Sequence, residues 1–386
     1  MSDADTQPPA TVSPSAGTYF PALDGLRAVA VIAVVLYHGG ATSALSGVAP
    51  GGFLGVSVFF TLSGFLVTGL LLRQLDAPGT LRLAGFWTRR LKRLAPASLV
   101  VVFFTVVTAR WFWDGMQASD ALAGTFGYTN WHVIWSGPDA LLRTIVGPLG
   151  PFWSLAVEEQ FYVLVSASVL VASRTTRPVR NLSVFVAIGW CLSAGLQLFA
   201  DWPQYRLEFG TGVRAAELLS GSALAILLHR HPTLPARLGS RLQPIGVVAL
   251  AVIIGLAATT DYDPPWLLRG GYAALSIVNA ALVVALLTPG PLTRALSWAP
   301  AVRIGRLSYS WYLVHWPVIL VLTPERTGLD TWALLATKVV VSLLVAMTLH
   351  HGVEQPLRRL EPPRRLVVAT WIGGSLVVAA TALIVL

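Results

Sequence analysis

Long stretches without a single charged residue are the feature that most constrains this chain. No Asp, Glu, Lys or Arg lies between Arg27 and Arg73 or after Arg365, and similar stretches follow Arg93, Arg180, Arg241, Arg269 and Arg306. A helix needs about 20 apolar residues to span the hydrocarbon core of a bilayer. Because 55% of the residues are hydrophobic and only 12% are charged, the sequence predicts a membrane protein.

The pattern predicts an all-α fold, a polytopic bundle of transmembrane helices. The polar, Pro/Ser-rich residues 1–18 are predicted to form a disordered cytoplasmic tail; they lack the basic start of a signal peptide, so the first helix is expected to stay in the mature protein. We predict eleven spanning helices, at 22–39, 53–73, 94–113, 154–173, 182–200, 212–229, 244–260, 270–288, 308–323, 332–352 and 366–386.

The basic residues indicate topology rather than a nucleic-acid surface. The net charge is +9, but the lysines and arginines concentrate in alternate loops, at 73–93, 174–180, 230–241, 294–306 and 358–365. By the positive-inside rule, the N-terminus is cytoplasmic and the C-terminus extracytoplasmic. Because the basic residues follow the topology, we predict no nucleic-acid partner. We also predict no metal, since the single Cys191 provides neither a disulfide framework nor a thiolate metal site.

The first helix carries an arginine and a histidine near its opposite ends. Arg27 and His38 are eleven residues apart, which is roughly 16 Å along a helix. The helix therefore offers an anion-binding group near the inner surface and a proton acceptor near the outer one. The alternative is a snorkelling arginine and an interfacial histidine without a catalytic role.

The fourth helix contains two adjacent carboxylates, Glu158 and Glu159. Carboxylates inside a spanning helix are costly and suggest function, and neighbouring residues cannot share one helix face. We expect one of them to meet His38 and the other to pair elsewhere, for instance with Arg214 or Arg206. A purely structural ion pair is the alternative.

Two arginines begin the third predicted helix. Arg90 and Arg93 are spaced to share a helical face, and arginines bind phosphates in bidentate geometry. The alternative is an ordinary basic flank that only sets topology.

The ninth and tenth predicted helices add further polar candidates. Tyr309, Tyr312 and His315 lie on the ninth, with His315 close to mid-membrane, where it is either a hydrogen-bonded core residue or a site residue. Glu354 follows the tenth helix at the inner surface and is expected to pair with an inner arginine in a structural role.

Taken together, these segments resemble the acyltransferase-3 family of integral membrane O-acyltransferases. The resemblance runs from about residue 19 to 360, and residues 361–386 are predicted as an additional C-terminal transmembrane helix. It rests on seven motifs in order: "LDGLRAVAVIAVVLYH", "GVSVFFTLSGFL", "RLKR" at 90–93, "SLAVEEQFY", "YRLEFGTG", "SYSWYLVHWP" and "VEQP".

The resemblance implies transfer of an acyl group, usually acetyl, from acyl-CoA to a hydroxyl of a carbohydrate-containing acceptor, by a ten-helix core. It makes His38 the candidate catalytic residue and implies that the donor binds at Arg27, Arg90 and Arg93. Acyl-CoA is the co-substrate, and no other cofactor is expected.

Within this family interpretation, His38 acts as a general base or as an acyl-histidine relay, with Glu158 or Glu159 beside it. Ser154 or Tyr162 is a candidate to stabilise the oxyanion. The other candidate site residues are Arg206, Tyr309, His315 and Glu354.

The acceptor is left open between a cell-envelope glycan, a glycolipid and a macrolide antibiotic. Longer family members carry a C-terminal soluble hydrolase-like domain, whereas here only one more apolar run follows, which fits a small acceptor at least as well. The residue bias hints at a GC-rich bacterial genome. The main alternative function is a proton-coupled solute transporter, which also uses buried His and Glu; a lipid-organising scaffold is another.

Overall fold

Helices are the only regular elements in the part of the chain that the structure describes. The structure is a computed structural model that describes residues 19–75, 81–113, 115–145, 147–262 and 264–386. The predicted tail at 1–18 lies outside these residues. Within them the prediction of an all-α helix bundle is confirmed.

Eighteen α-helices are found in the described ranges, and each of the eleven predicted spans falls on a long one. They are α1 (Pro21–Ala41), α2 (Gly55–Leu75), α3 (Leu83–Phe112), α4 (Ala118–Thr125), α5 (Thr129–Ile145), α6 (Phe152–Ser173), α7 (Pro178–Phe199), α8 (Gln204–Phe209), α9 (Thr211–Arg230), α10 (Leu234–Leu238), α11 (Leu242–Thr259), α12 (Tyr272–Leu286), α13 (Pro291–Leu296), α14 (Ala299–Val321), α15 (Pro324–Thr327), α16 (Thr331–Leu349), α17 (Gln355–Arg359) and α18 (Arg364–Val385).

Ten helical segments of the described chain are long and apolar enough to cross a membrane. The remaining long helix, α14, has 23 residues but a more polar sequence that includes Arg303, Arg306 and His315. It packs against α1 and α16 inside the bundle, where its polar side chains find protein partners. The chain is therefore a multi-pass membrane protein.

Two regions are more helical than predicted. Helix α3 begins at Leu83 rather than near residue 94, so the end of the basic stretch 73–93 is part of the spanning helix. The segment between the predicted spans 94–113 and 154–173 contains α4 and α5. Asp120 stabilises the start of α4, because its carboxylate accepts a hydrogen bond from the Gln117 backbone N–H at 2.9 Å, a pairing typical of helix N-termini.

The packing of α1 against α14 is close enough to require glycine. A Cβ atom at Gly305 would lie 1.8 Å from the backbone oxygen of Asp24. Small residues let helix backbones approach closely in membranes, where dispersion contacts replace the hydrophobic effect between helices. This contact sets the distance between α1 and α14 at the Asp24 end of α1, and the two helices stay packed together as far as His38 and His315.

Replacing Gly305 by Ala is expected to destabilise the protein because the added methyl group overpacks the α1–α14 contact, at a cost of about 1–3 kcal/mol. Thermal unfolding of the purified protein should show a lower midpoint for Gly305→Ala. The control is Gly373→Ala in α18, where no atom lies within 4 Å of the added Cβ. Equal midpoints for the two variants would contradict this account of the contact.

Candidate active site

A cavity of about 80 Å³ lies between α1, α2, α3, α6 and α14. Seven of the predicted site residues line it together: Arg27, Arg90, Arg93, Ser154, Glu158, Tyr162 and Tyr309. They come from four helices that are distant in sequence. The structure therefore brings most of the predicted set into one place.

The arginines give this cavity a positive character. Arg27 comes from α1, and Arg90 and Arg93 come from successive turns of α3, as their spacing predicts. The Arg90 guanidinium lies 4.9 Å from the centre of the Tyr162 ring, within the range of a cation–π contact. The buried Nε of Arg93 has no hydrogen-bond partner among the described residues. The cavity thus holds several donors suited to an anionic group.

Glu158 lies among these arginines. It is one turn before Tyr162 on α6, and the Tyr162 hydroxyl donates to its Oε2 at 3.0 Å; the same hydroxyl also shares a hydrogen bond of 2.7 Å with Ser63. Glu158 therefore acts as the counter-charge of the arginine cluster.

His38 is hydrogen-bonded to another histidine. His38 Nδ1 lies 3.0 Å from Nε2 of His315. The expectation that Glu158 or Glu159 meets His38 was wrong: α14 packs along α1 and brings its own imidazole to that position.

The hydrogen bonds determine the tautomers of the pair. His315 Nδ1 lies 2.7 Å from the Tyr312 carbonyl oxygen, which can only accept, so Nδ1 carries the proton of a neutral ring. His315 Nε2 must then accept, and His38 Nδ1 donates to it. The consequence is that His38 Nε2 keeps its lone pair. His315 is fully buried, whereas His38 stays partly accessible, as a proton acceptor for a substrate requires.

The hydroxyl protons of the predicted oxyanion donors are already used in hydrogen bonds within the protein. Ser154 and Tyr312 lie 2.7 Å apart, and each hydroxyl is 3.1 Å from the carbonyl oxygen of Pro151. One hydroxyl donates to Pro151 and the other donates to the first, so both protons are used within the protein. The Tyr162 proton is likewise directed at Glu158. These hydroxyls order the cavity wall instead.

Three predicted candidates lie elsewhere. Glu159 is exposed on the other side of α6, near Gln160, and Arg206 is exposed and stacked 4.0 Å over Trp202. Their predicted pairing was wrong. Glu354 is buried and lies 3.5 Å from Arg358, so it pairs with an arginine, as expected.

Glu354 also has two partners besides Arg358. Its Oε2 accepts from Ser310 at 2.8 Å and lies 2.7 Å from His350 Nδ1. These bonds connect α14 to the turn that follows α16, which is a structural role.

Two buried cations have partners that the sequence did not predict. Arg214 forms a buried pair with Glu217, with Nε 2.6 Å from the carboxylate. Lys338, 1% exposed, donates to the carbonyl and hydroxyl oxygens of Thr42 at 2.7 and 2.9 Å. For Lys338 the available signal was a lone charge within an apolar helix, and for Arg214 it was a glutamate three residues later on the same helix.

Lys338 stabilises the end of α1 that carries His38. The last carbonyl groups of a helix lack intrahelical partners and carry partial negative charge. Lys338 satisfies the Thr42 carbonyl, and the Thr42 hydroxyl donates to the His38 carbonyl at 2.7 Å. The backbone of His38 is thereby fixed from α16.

Helix α1 contributes Arg27 to the arginine-lined cavity and carries the partly accessible His38 toward its other end, an arrangement that suits a membrane-embedded transferase. The Acyltransferase domain of the acyltransferase-3 family matches residues 20–351. The chain belongs to the acyltransferase-3 family and carries its membrane acyltransferase domain.

Several curated proteins are similar to the chain. YrhL of Bacillus subtilis is 34% identical over 355 residues, which are 88% of this chain and 55% of that protein. Peptidoglycan O-acetyltransferase OatA of Listeria monocytogenes and O-acetyltransferase OatA of Staphylococcus aureus are each 33% identical, over 88% of this chain and 56% and 57% of their own lengths. The chain thus spans a little over half the length of these relatives. No solved structure matches it.

Substituting His315 by Phe should reduce acyl transfer about 10²-fold or more, because His38 loses the acceptor that fixes its tautomer, and positioned general bases contribute 10²–10⁴-fold. His315→Gln, whose amide oxygen can accept the same hydrogen bond, should retain more activity than His315→Phe. The measurement is the turnover of acetyl-CoA by purified protein in lipid.

The control for this substitution is His231→Phe, at an exposed histidine outside the cavity. The assignment fails if His315→Phe turns over like the wild type, or if Gln and Phe at this position are equally inactive while both variants remain folded.

Proposed function

We propose that the protein transfers an acyl group, acetyl in the first instance, from acyl-CoA to a hydroxyl of a cell-envelope carbohydrate. The observation that carries the proposal is that α1 contributes Arg27 to the arginine-lined cavity and carries a base-competent histidine, His38, toward its other end. Family membership supports acyl transfer and does not favour the proton-coupled transporter.

The donor is proposed to bind with its phosphates at the arginine cluster. Acyl-CoA is polyanionic and cytoplasmic, and Arg27, Arg90 and Arg93 lie toward the inner end of the bundle if the N-terminus is cytoplasmic, as the positive-inside rule indicates. Guanidinium groups suit phosphates because they donate two parallel hydrogen bonds. Glu158 limits the excess positive charge while the cavity is empty.

The chemistry is proposed to take place at His38. Its Nε2 accepts the proton of the acceptor hydroxyl while that oxygen attacks the thioester carbonyl. The new ester C–O bond forms, the C–S bond breaks, and the coenzyme A thiolate recovers the proton from the imidazolium. Before each cycle, His315 accepts the hydrogen bond from His38 Nδ1 and so keeps the lone pair on His38 Nε2. Lys338 fixes the backbone at the end of α1 that carries His38.

The acceptor is proposed to be an envelope glycan that His38 meets on the extracytoplasmic side. Support comes from the relatives, one of which is a peptidoglycan O-acetyltransferase. These names favour a glycan over the glycolipid and macrolide acceptors that the sequence also allows. In this arrangement the C-terminus is extracytoplasmic.

The decisive experiment is transfer of label from [acetyl-¹⁴C]acetyl-CoA to glycans, lipids and small metabolites in membranes that contain wild type or His38→Ala. Wild type should label the glycan fraction, and the variant should fall about 10²–10⁴-fold, the contribution of a general base. Label that remains on wild-type protein in the absence of acceptor would replace direct transfer by an acyl-histidine relay. No donor-dependent labelling in any fraction would refute the proposal.

Substituting Arg90 or Arg93 by Gln should raise the KM for acetyl-CoA about 10- to 100-fold, since hydrogen bonds to charged groups contribute about 1.5–3 kcal/mol. The matched control is Arg89→Gln: Arg89 is exposed, on the same helix, and not part of the cavity wall. Equal KM values for Arg89→Gln and Arg90→Gln would show that the donor binds elsewhere.

A further inference from the structure

A row of aromatic side chains leads away from His38 at the end of α1 opposite the arginines. The Tyr37 ring centre lies 4.9 Å from that of His38, and Phe53 lies 5.4 Å from Tyr37. Tyr262 follows at 5.6 Å from Phe53. These residues come from three separate segments, α1, the helical turn Gly52–Leu54 and the loop after α11. We call Tyr37, Phe53 and Tyr262 the aromatic row.

The backbone is shaped to bring the middle ring into place. A Cβ atom at Gly52 would lie 2.1 Å from the Ala33 carbonyl oxygen, so only glycine permits the turn to lie this close to α1. Phe53 follows directly and meets Tyr37 edge-on, with 61° between the ring planes. The row is thus fixed by packing at its centre.

The outer ring is held by a carboxylate and remains accessible. The Tyr262 hydroxyl lies 2.8 and 2.6 Å from the two carboxylate oxygens of Glu208. Glu208 is only 8% exposed, whereas Tyr262 is 49% exposed. Tyr262 therefore offers a ring of fixed orientation to a ligand, and Glu208 is its positioning residue.

The ring next to His38 has an unused polar group. Among the described residues, nothing donates to or accepts from the Tyr37 hydroxyl, and the Tyr37 side chain is only partly buried. A buried or half-buried tyrosine usually finds a hydrogen-bond partner for its hydroxyl. This group is therefore available to a ligand beside His38.

We propose that the aromatic row is a binding subsite for the acceptor carbohydrate, with one sugar ring stacked on the exposed ring of Tyr262 and a hydroxyl of the same carbohydrate reaching His38 beside Tyr37. The inference rests on the proposed function and deepens it. A pyranose ring presents polarised C–H groups on its face, which match the negative faces of aromatic rings, and hydroxyls at its edge, which match the Tyr37 hydroxyl.

The test measures sugar binding separately from catalysis. Full-length protein in phosphatidylethanolamine/phosphatidylglycerol nanodiscs is titrated with chitotetraose, a soluble β-1,4-linked N-acetylglucosamine oligomer, and binding is followed by saturation-transfer NMR of the sugar protons. Tyr262→Ala should weaken binding about tenfold. Tyr262→Phe keeps the ring and should weaken sugar binding threefold or less, which is on the order of half of the binding free energy lost in Tyr262→Ala. His38→Ala should lose its transfer activity but weaken binding less than Tyr262→Ala, because it leaves the aromatic ring of Tyr262 in place.

The control is Trp332→Ala, at an exposed aromatic residue that begins α16, near the same end of the bundle. An aromatic belt at the membrane surface would make both positions equivalent, whereas a subsite makes only Tyr262 sensitive. In the transfer assay, Tyr262→Ala should raise the acceptor KM about tenfold and leave the acetyl-CoA KM unchanged.

The outcomes separate the two proposals. Sugar binding that depends on Tyr262 without any acetyl transfer would support the subsite and refute the proposed chemistry. Acetyl transfer with an unchanged acceptor KM in Tyr262→Ala would overturn the subsite alone. Absence of chitotetraose binding to folded wild-type protein, or equal loss in Trp332→Ala, would also overturn it.

Discussion

The hydrogen bond between His38 and His315 depends on how closely α1 and α14 pack, and the catalytic geometry depends on that bond. An isolated imidazole in a membrane helix would interconvert between two neutral tautomers, and its usable lone pair would face two directions. The Tyr312 carbonyl oxygen removes this freedom because it can only accept, and the constraint passes through His315 to His38. A backbone atom on α14 thereby decides where the lone pair of a side chain on α1 points.

The bilayer explains why polar groups are concentrated at so few places. Charged side chains in the hydrocarbon region are costly, so each one in the described structure either has a protein partner, borders a cavity or reaches an exposed surface. Arg214 and Glu217 satisfy each other, Lys338 binds the end of α1, and Glu158 balances the arginines of α3. On the cavity wall three arginines accompany a single carboxylate, Glu158, which makes an anionic ligand the natural occupant.

The sequence predicts the helices because they follow from short-range rules, whereas the grouping of Arg27 with Arg90 and Arg93 came from the resemblance to the family. Charge-free stretches identify spans, and the spacing of Arg90 and Arg93 identifies a shared helix face. The partner of His38 could not be found in this way, because it depends on which of several polar helices packs beside α1. The two carboxylates of α6 made that helix the expected neighbour of His38. Gly305, which lets α14 pack closely against α1, resembles many other glycines in the chain. Lys338 was overlooked for a similar reason: its partners, Thr42 and Ser43, lie in a loop almost three hundred residues earlier.

The rigidity of α1 has a consequence for substrate selection. Arg27 and His38 stand on one uninterrupted helix, so their axial separation of roughly 16 Å does not vary as loops or neighbouring helices move. The helix thus sets a fixed length. A molecule can reach Arg27 with its anionic group and His38 with its reactive carbonyl only if the spacer between the two groups bridges the separation of these residues. Under the proposed function, a truncated acyl thioester would occupy one end at a time, and the protein would discriminate against it by length without touching the atoms that are missing.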